Sequence, residues 1–462
     1  MKGKINRLSL RVIKILNIVL VTLPFAFAWM MYYAERTYSP YFAKGNYLVI
    51  ALFLVLYVVF AHVYDAFQIS YNRISELIYS QVLAAVIVDA IMYVVIWLLT
   101  KFLPAIWPLL IALVVQGVFA AVWSLLAHRW YFAVFSAKKT AVIYDQCEGT
   151  ENLLNEYGLD KKFEVIHVGS VEECIASNMK DLEGIEAIFL CGIHSHERNI
   201  ILKHCILHNI TVYVIPRIGD VIMSGAKQMH MLHLPMLKVG RYTPTAEYRW
   251  VKRAFDFLVC GIALVILSPV FIITAIAIKA TDGGPVFYKQ CRLTQNGKKF
   301  DVLKFRSMRV DAEKDGVARL STGDKDDRIT PVGKFIRKVR IDELPQLINI
   351  IKGDMSIVGP RPERPEIAKQ YEQELPEFAL RLQAKAGLTG YAQVYGKYNT
   401  TPYDKLQMDL MYISKPSFIE DMKIILATIK ILFIPESTDG IAEDQTTASG
   451  KSKTKVVLEG EN

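Results

Sequence analysis

The sequence predicts a membrane protein of mixed fold: a four-helix transmembrane bundle, an α/β Rossmann-like middle domain, and a third domain entered through a re-entrant membrane helix-hairpin. Three observations predict it. Four apolar runs of near-spanning length crowd the first 130 residues. Short apolar runs alternating with amphipathic stretches fill residues 138–240, and a fifth apolar run, 257–280, is interrupted by proline and flanked on both sides by Lys and Arg. The 462 residues are 52% hydrophobic and 21% charged, with 54 Lys and Arg against 45 Asp and Glu. That balance excludes a disordered chain, a collagen-like fibre and a small disulfide scaffold.

Lys2, Lys4, Arg7, Arg11 and Lys14 precede an apolar run from Ile15 to Tyr33. The run is too long for a signal-peptide core and no small-residue cleavage site follows it, so a retained transmembrane helix is expected. Further runs at Tyr47–Tyr64, Val82–Leu99 and Ala105–Ala127 approach the roughly 20 residues that cross a ~30 Å hydrocarbon core. An even number of spans puts both ends on one side. The cations before the first span, with Arg129, Lys138 and Lys139 after the fourth, make that side the cytoplasm. Asp89 is the one ionisable oddity within these runs, either a partner inside the bundle or a functional group. Six scattered cysteines without a CxxC pair read as free thiols in a reducing compartment, and the nine histidines form no metal signature.

In the middle domain, Thr140–Tyr144, Phe163–Val168, Ala187–Cys191 and Thr211–Ile215 read as buried strands. Glu151–Tyr157, Val171–Lys180 and Glu197–His208 read as the helices between them. Alternating βα units imply an open parallel sheet. The loop after the first strand, Asp145-Gln146-Cys147-Glu148-Gly149, lacks the glycine spacing of a phosphate loop, which favours a structural, oligomerising or regulatory module over a dinucleotide site.

The fifth apolar run, Phe257–Ala280, has cations on both flanks: Lys252 and Arg253 before it, then Lys279, Lys289, Arg292, Lys298 and Lys299 after it. The charge rule therefore asks for both flanks in the cytoplasm. Ser268-Pro269 sits at its centre, and proline removes an amide donor and clashes with the preceding turn. Each half, at ~1.5 Å per residue, reaches about halfway through a bilayer. A helix that enters, breaks at Ser268-Pro269 and returns satisfies the charges, with the Ser268 hydroxyl taking a carbonyl freed by the break. The rival is a proline-kinked true span.

Between Arg241 and Arg340 there are 20 Lys and Arg against 10 Asp and Glu. Such a field suits an anionic partner. No helix-turn-helix, zinc-finger or aromatic RNA-binding pattern points to nucleic acid, so membrane headgroups and a phosphorylated substrate are the expected partners. Within and just beyond it lie Lys304-Phe305-Arg306-Ser307-Met308, Arg337, Arg340-Ile341-Asp342-Glu343-Leu344-Pro345 and Gly359-Pro360-Arg361-Pro362. Adjacent carboxylates among cations could serve phosphoryl transfer, one attacking phosphorus and the other holding a divalent metal. On spacing alone they could equally be a surface salt-bridge network.

The stretch from Arg253 to about Ile434 resembles the bacterial sugar transferase family, monotopic phosphoglycosyl transferases that move a sugar 1-phosphate from a nucleotide diphosphate sugar onto polyprenyl phosphate. The motifs above carry the likeness, together with Lys252 to Asp256, Gly284-Pro285-Val286-Phe287-Tyr288-Lys289-Gln290, Lys352-Gly353-Asp354-Met355-Ser356 and Gly387-Leu388-Thr389-Gly390. The four preceding spans and the βα domain resemble the long form of the family, as in capsule and exopolysaccharide initiating enzymes.

The resemblance implies an α-rich α+β catalytic domain over 249–435 and a ping-pong reaction between a UDP-sugar and undecaprenyl phosphate. Asp342 would attack the β-phosphate, Glu343 would bind Mg²⁺, and Lys304, Arg306, Arg337, Arg361 and Gln393 would contact phosphate or substrate. The Ser268-Pro269 hairpin would hold the protein in one leaflet of the bacterial inner membrane with catalysis on the cytoplasmic face. The sugar is expected to be glucose or galactose, and a homodimer is compatible. Tyr391, Tyr395 and Lys397 replace the family's usual Trp, Asn and Arg in the loop around Gln393. Asp409 and Asp421 read as caps or ion-pair partners, and the polar tail 436–462 as disordered. Two other functions fit less of the pattern: a non-catalytic membrane scaffold, and an inverting transferase that would release the nucleoside diphosphate.

Overall fold

The computed structural model describes residues 2–41, 44–145, 159–310, 328–396 and 401–432, with the side chains of 2–7 and of 432 left aside. The expected helix Glu151–Tyr157, Lys397 and the tail 436–462 lie outside the described residues. The chain forms two compact units, one ending at Ile215 and one beginning at Pro216.

The first unit opens with α1 (Lys2–Ala28), which widens into a π turn at Trp29–Tyr33, followed by α2 (Lys44–Val63), α3 (Ile74–Leu99) and α4 (Trp107–Val134). All four are long and apolar enough to cross a membrane. With the α/β region below, they make this a membrane protein of mixed fold. Polar groups inside them bind one another: Asn17 Nδ2 donates to Gln81 Oε1 (2.8 Å), Tyr57 OH donates to Asn17 Oδ1 (2.9 Å), and Gln81 Nε2 reaches Ser124 Oγ (3.2 Å). Burying these groups in lipid without partners would cost several kcal/mol each, so their pairing explains how they are tolerated. Asp89 is 5% exposed and faces Gln116, itself 1% exposed.

Strands β1 (Lys138–Tyr144), β2 (Phe163–Ser170), β3 (Ala187–Cys191) and β4 (Thr211–Val214) form a wholly parallel sheet in the order β2-β1-β3-β4. Apolar runs flanked by turn residues are what a two-sided buried parallel sheet requires. Ala141, Ile143, Ile188 and Leu190 fill one face, while Val142, Ala187 and Cys191 fill the other. The helix expected at Val171–Lys180 stops at Ala176 as α5 (Val171–Ala176), capped by Ser170. Asn178 and Met179 then take positive φ (53° and 60°), which no helix accommodates. Helix α6 (Ser195–Leu207) leads into β4, which closes the unit.

The second unit begins with α7 (Ile218–Ser224) and the hairpin β5 (Lys227–Met231) and β6 (Leu234–Lys238). Next comes α8 (Ala246–Asp282), 37 residues with Pro269 inside. The helical pattern runs through the expected interruption. Pro269 lacks the amide that would bond Val265 O, and Ser268 Oγ donates to that same carbonyl at 2.8 Å, so the orphaned acceptor is satisfied locally. The antiparallel pair β7 (Phe287–Leu293) and β8 (Lys299–Phe305) follows, then α9 (Pro331–Lys338), α10 (Gln346–Lys352), β9 (Ser356–Val358), α11 (Pro365–Glu374), β10 (Gly387–Thr389), α12 (Tyr391–Tyr395), α13 (Pro402–Ser414) and α14 (Phe418–Leu432). Ile350, Met355, Val358, Phe378, Leu406 and Ile424 form the centre of its core, with Val221 of α7 among them.

Candidate active site

Two bonds from Asn349 on α10 fasten the edge of β8. Its Nδ2 donates to Asp301 O (2.8 Å) and its Oδ1 accepts from Leu303 N (2.9 Å), so Lys304 is held one residue beyond that staple. The far end of α10 is held as firmly. Arg253 on α8 donates to the carbonyls of Ile350 and Ile351, both at 2.6 Å, filling acceptors that a helix terminus leaves open. Asp256, one turn further, accepts from Ser356 Oγ (2.7 Å) and Ile357 N (3.3 Å), tying α8 to β9.

Between α9 and α10 the chain makes one 3₁₀ turn, Ile341–Glu343, that carries both carboxylates. Arg340 opens it in the left-handed region (φ 55°, ψ 22°), a conformation that costs an L-residue roughly 1–2 kcal/mol and that clusters at functional sites. Lys304 Nζ and Arg361 Nη2 each stand 3.4 Å from Glu343 Oε1, converging on one oxygen from a strand and a loop. Burial alone would raise the Glu343 carboxyl; Lys304, Arg361 and Arg340 overcome it and hold the group at about 2. Asp342 is buried, 9% exposed. Its burial, with Glu343 beside it, lifts its carboxyl above the usual range against the pull of Lys304, Arg337 and Arg361. One carboxylate is thus held ionised at neutral pH while its neighbour is desolvated and more basic.

Lys304, Asp342, Glu343, Arg337 and Arg361 are therefore brought within one another's electrostatic reach. Arg306 is placed differently. It is 8% exposed, and its two terminal nitrogens grip the carboxylate of Asp282 at the end of α8, so it anchors that helix to β8. Gln393 lies behind the Arg361 loop, where Nε2 donates to Leu388 O (3.1 Å) and its neighbour Gly390 abuts Gly359 O. A Cβ at Gly359 would overlap the Lys385 carbonyl and one at Gly387 would overlap Gly359, so both must be glycine for β9 and β10 to approach.

Three residues, Glu363, Arg381 and Lys405, carry no expectation from the sequence. Glu363, directly after Gly359-Pro360-Arg361-Pro362, is ringed by Lys405 (3.0 Å), Arg381 (3.5 Å) and Arg292 (3.9 Å), and Arg381 also pairs with Asp409 (2.7 Å). Its adjacency to that motif was the available signal. Asp409 is thus an ion-pair partner, as is Asp421, which pairs with Lys252 at 2.8 Å and accepts from the hydroxyls of Tyr248 and Tyr412, both at 2.8 Å.

Among the described residues no three His, Cys, Asp or Glu side chains gather as a metal cage. A hard divalent ion held by one or two carboxylates plus substrate phosphates needs no such cage, and ionised Glu343 fits that donor role.

A chain with this carboxylate pair, cation array and proline-bearing apolar helix belongs to the bacterial sugar transferase family, whose profile matches residues 247–435. Residues of this chain are 37% identical over 234 residues to a UDP-N-acetylgalactosamine-undecaprenyl-phosphate N-acetylgalactosaminephosphotransferase of Aeromonas hydrophila, covering 50% of this chain and 54% of that one. A UDP-glucose:undecaprenyl-phosphate glucose-1-phosphate transferase of Escherichia coli (strain K12) is 36% identical over 224 residues, 47% of this chain and 48% of that one. The match thus spans about half the length of these two relatives. An uncharacterized sugar transferase, EpsL, of Bacillus subtilis is 35% identical over 203 residues, which is 43% of this chain and 97% of EpsL.

Proposed function

We propose that this protein transfers a hexose 1-phosphate from a UDP-sugar to undecaprenyl phosphate and so starts assembly of a lipid-linked surface polysaccharide. The observation that carries the reading is the adjacent Asp342 and Glu343 on one turn, with Lys304 and Arg361 each 3.4 Å from Glu343 Oε1. The two relatives named for such transfers, of N-acetylgalactosamine phosphate and of glucose 1-phosphate respectively, support it.

In the first half-reaction an Asp342 oxygen forms a bond to the β-phosphorus of the UDP-sugar. The bond from that phosphorus to the oxygen bridging α and β breaks, and UMP leaves with the electron pair. In the second, an oxygen of undecaprenyl phosphate attacks the same phosphorus and the aspartyl bond breaks, restoring the carboxylate. Splitting the transfer lets two anionic substrates bind in turn. Lys304, Arg337 and Arg361 supply donors to the phosphate oxygens. Mg²⁺, when held by Glu343 and substrate phosphates, would supply further screening of their charge.

The same reading makes α1–α4 a transmembrane bundle of the bacterial inner membrane and α8 a hairpin dipping into its cytoplasmic leaflet. Straight, α8 would carry Asp282 about 39 Å from Asp256. Both residues anchor to one compact unit, Asp256 to β9 and Asp282 to Arg306, an arrangement that a hairpin bent at Pro269 would accommodate. The most apolar window of α8 is 11% buried, against 28–39% in the other four long helices, as expected where lipid rather than protein surrounds it.

The test is UMP release by the protein in nanodiscs supplied with Mg²⁺, undecaprenyl phosphate and a panel of UDP-sugars. Sustained, multiple-turnover UMP release that requires both the lipid and one sugar is the expected result, with a phosphosugar adduct on the intact protein that forms without lipid and is missing from Asp342→Asn. Release of UDP instead, or full activity in Asp342→Asn, would overturn the mechanism.

A further inference from the structure

The ionic cluster around Glu363 does more than neutralise itself. Arg381 is 3% exposed, and besides its pairs with Asp409 and Glu363 its Nη2 donates to the backbone carbonyl of Arg361 at 2.8 Å. Arg292 Nη1 donates to the next carbonyl, that of Pro362, at 3.0 Å. Charge balance alone accounts for the ion pairs but calls for neither of these bonds. They occupy the carbonyls of two successive residues, while Gly387 N donates to Pro360 O at 2.9 Å from the other side. Burial would lift Glu363, yet Lys405, Arg381 and Arg292 hold it at about 2, so the anchor stays charged at any physiological pH. The Arg361 side chain, in contrast, is 43% exposed, and its head meets Glu343. Its root is fixed and its head is half-exposed beside Glu343.

We propose that Arg381, braced by Asp409 and Glu363, is a positioning residue that locks the backbone of Arg361 so that its guanidinium faces Glu343 and the phosphates of the donor nucleotide. Arg292 secures the adjoining Pro362. The inference rests on the function proposed above. Preorganising one forked donor in this way removes the ordering cost that a loop arginine would otherwise meet on binding.

The test is titration of full-length protein in nanodiscs with UDP, read by calorimetry, for wild type, Arg361→Ala, Arg381→Lys and the double variant. Lysine keeps the charge beside Asp409 and Glu363, but its single nitrogen cannot also hold the Arg361 carbonyl in the same fork. Each single substitution should weaken UDP binding about tenfold, and the double should be no weaker than Arg361→Ala alone, because Arg381 acts through Arg361. The KM for the UDP-sugar should rise in Arg381→Lys in the same proportion. Losses that add, or wild-type affinity in Arg381→Lys, would overturn the inference. If Arg381→Lys does not fold, Arg292→Lys gives the same comparison: a smaller loss in wild type and none in the Arg361→Ala background, with additivity again counting against it. Failure of the wild type to bind UDP would instead bring down the proposed function, and this inference with it.

Discussion

At the scale of single residues, Asp342 and Glu343 are neighbours with opposite electrostatic fates, and their titrations separate accordingly. Glu343 is lowered from 4.5 to about 2 in the folded protein. Its stabilising contribution is complete above its ordinary value and is lost as the pH falls through that window, on the order of 3 kcal/mol in all. Asp342 is raised, so the folded state holds its proton more tightly than the unfolded chain and ionising it at neutral pH costs stability. Asp342→Asn should therefore unfold at the same temperature as wild type or a higher one, measured by thermal scanning at pH 7, while UMP release falls by at least about 10³-fold. A marked loss of stability would mean that Asp342 is a structural ion-pair member. The acid limb of kcat/KM should report Asp342, because Glu343 is ionised throughout. Lys304 is the strongest influence pulling Asp342 down, so Lys304→Met should move that limb to higher pH; an unmoved limb would detach it from Asp342.

At the scale of elements, α8 is the long apolar helix fastened to the unit that carries the carboxylates, and its two anchors can be probed independently. Arg253 occupies two carbonyls at the end of α10, the helix that begins three residues after Glu343. Arg253→Ala should lower the unfolding midpoint by the loss of two charge-assisted bonds, about 1.5–3 kcal/mol each at most, with Arg253→Lys recovering part. The charge pattern and the proline make a topological prediction as well. Cysteines placed at Arg249 and Lys298 should both react with an impermeant maleimide from the cytoplasmic side of membrane vesicles, whereas a kinked true span would expose them on opposite sides. Pro269 and Ser268 act together here, since the hydroxyl replaces the very bond that proline removes.

At the scale of the whole molecule, the division at Ile215 and Pro216 assigns α7 and the β5–β6 hairpin to the unit that holds the carboxylates, because Val221 is buried in that unit's core and Gln407 binds the carbonyl of Pro216. The match covering 97% of EpsL shows that a chain can consist almost wholly of the family region. A fragment comprising 216–462 should therefore keep lipid-dependent UMP release within about tenfold of the intact protein in nanodiscs; inactivity of a folded fragment would assign the first unit a part in catalysis.

Hydropathy, alternation and charge asymmetry are local properties of the chain, so the sequence by itself determined the four long apolar helices, the four parallel strands to within a few residues, and the carboxylate pair among cations. It could not say which cations those carboxylates meet. Lys304 and Arg361 lie 39 and 18 positions from Glu343 and reach the same oxygen, whereas Arg306, two residues from Lys304 in the same motif, is taken by Asp282. Residues two apart on one strand share a face only while the strand lasts, and β8 ends at Phe305. The cluster of Glu363, Arg381, Asp409, Lys405 and Arg292 was likewise decided by tertiary structure, for its members are drawn from strand β7, a 3₁₀ segment at Pro376–Gln383, helix α13 and a loop. Ion pairing depends on distance in space and on desolvation, and neither is written in sequence spacing.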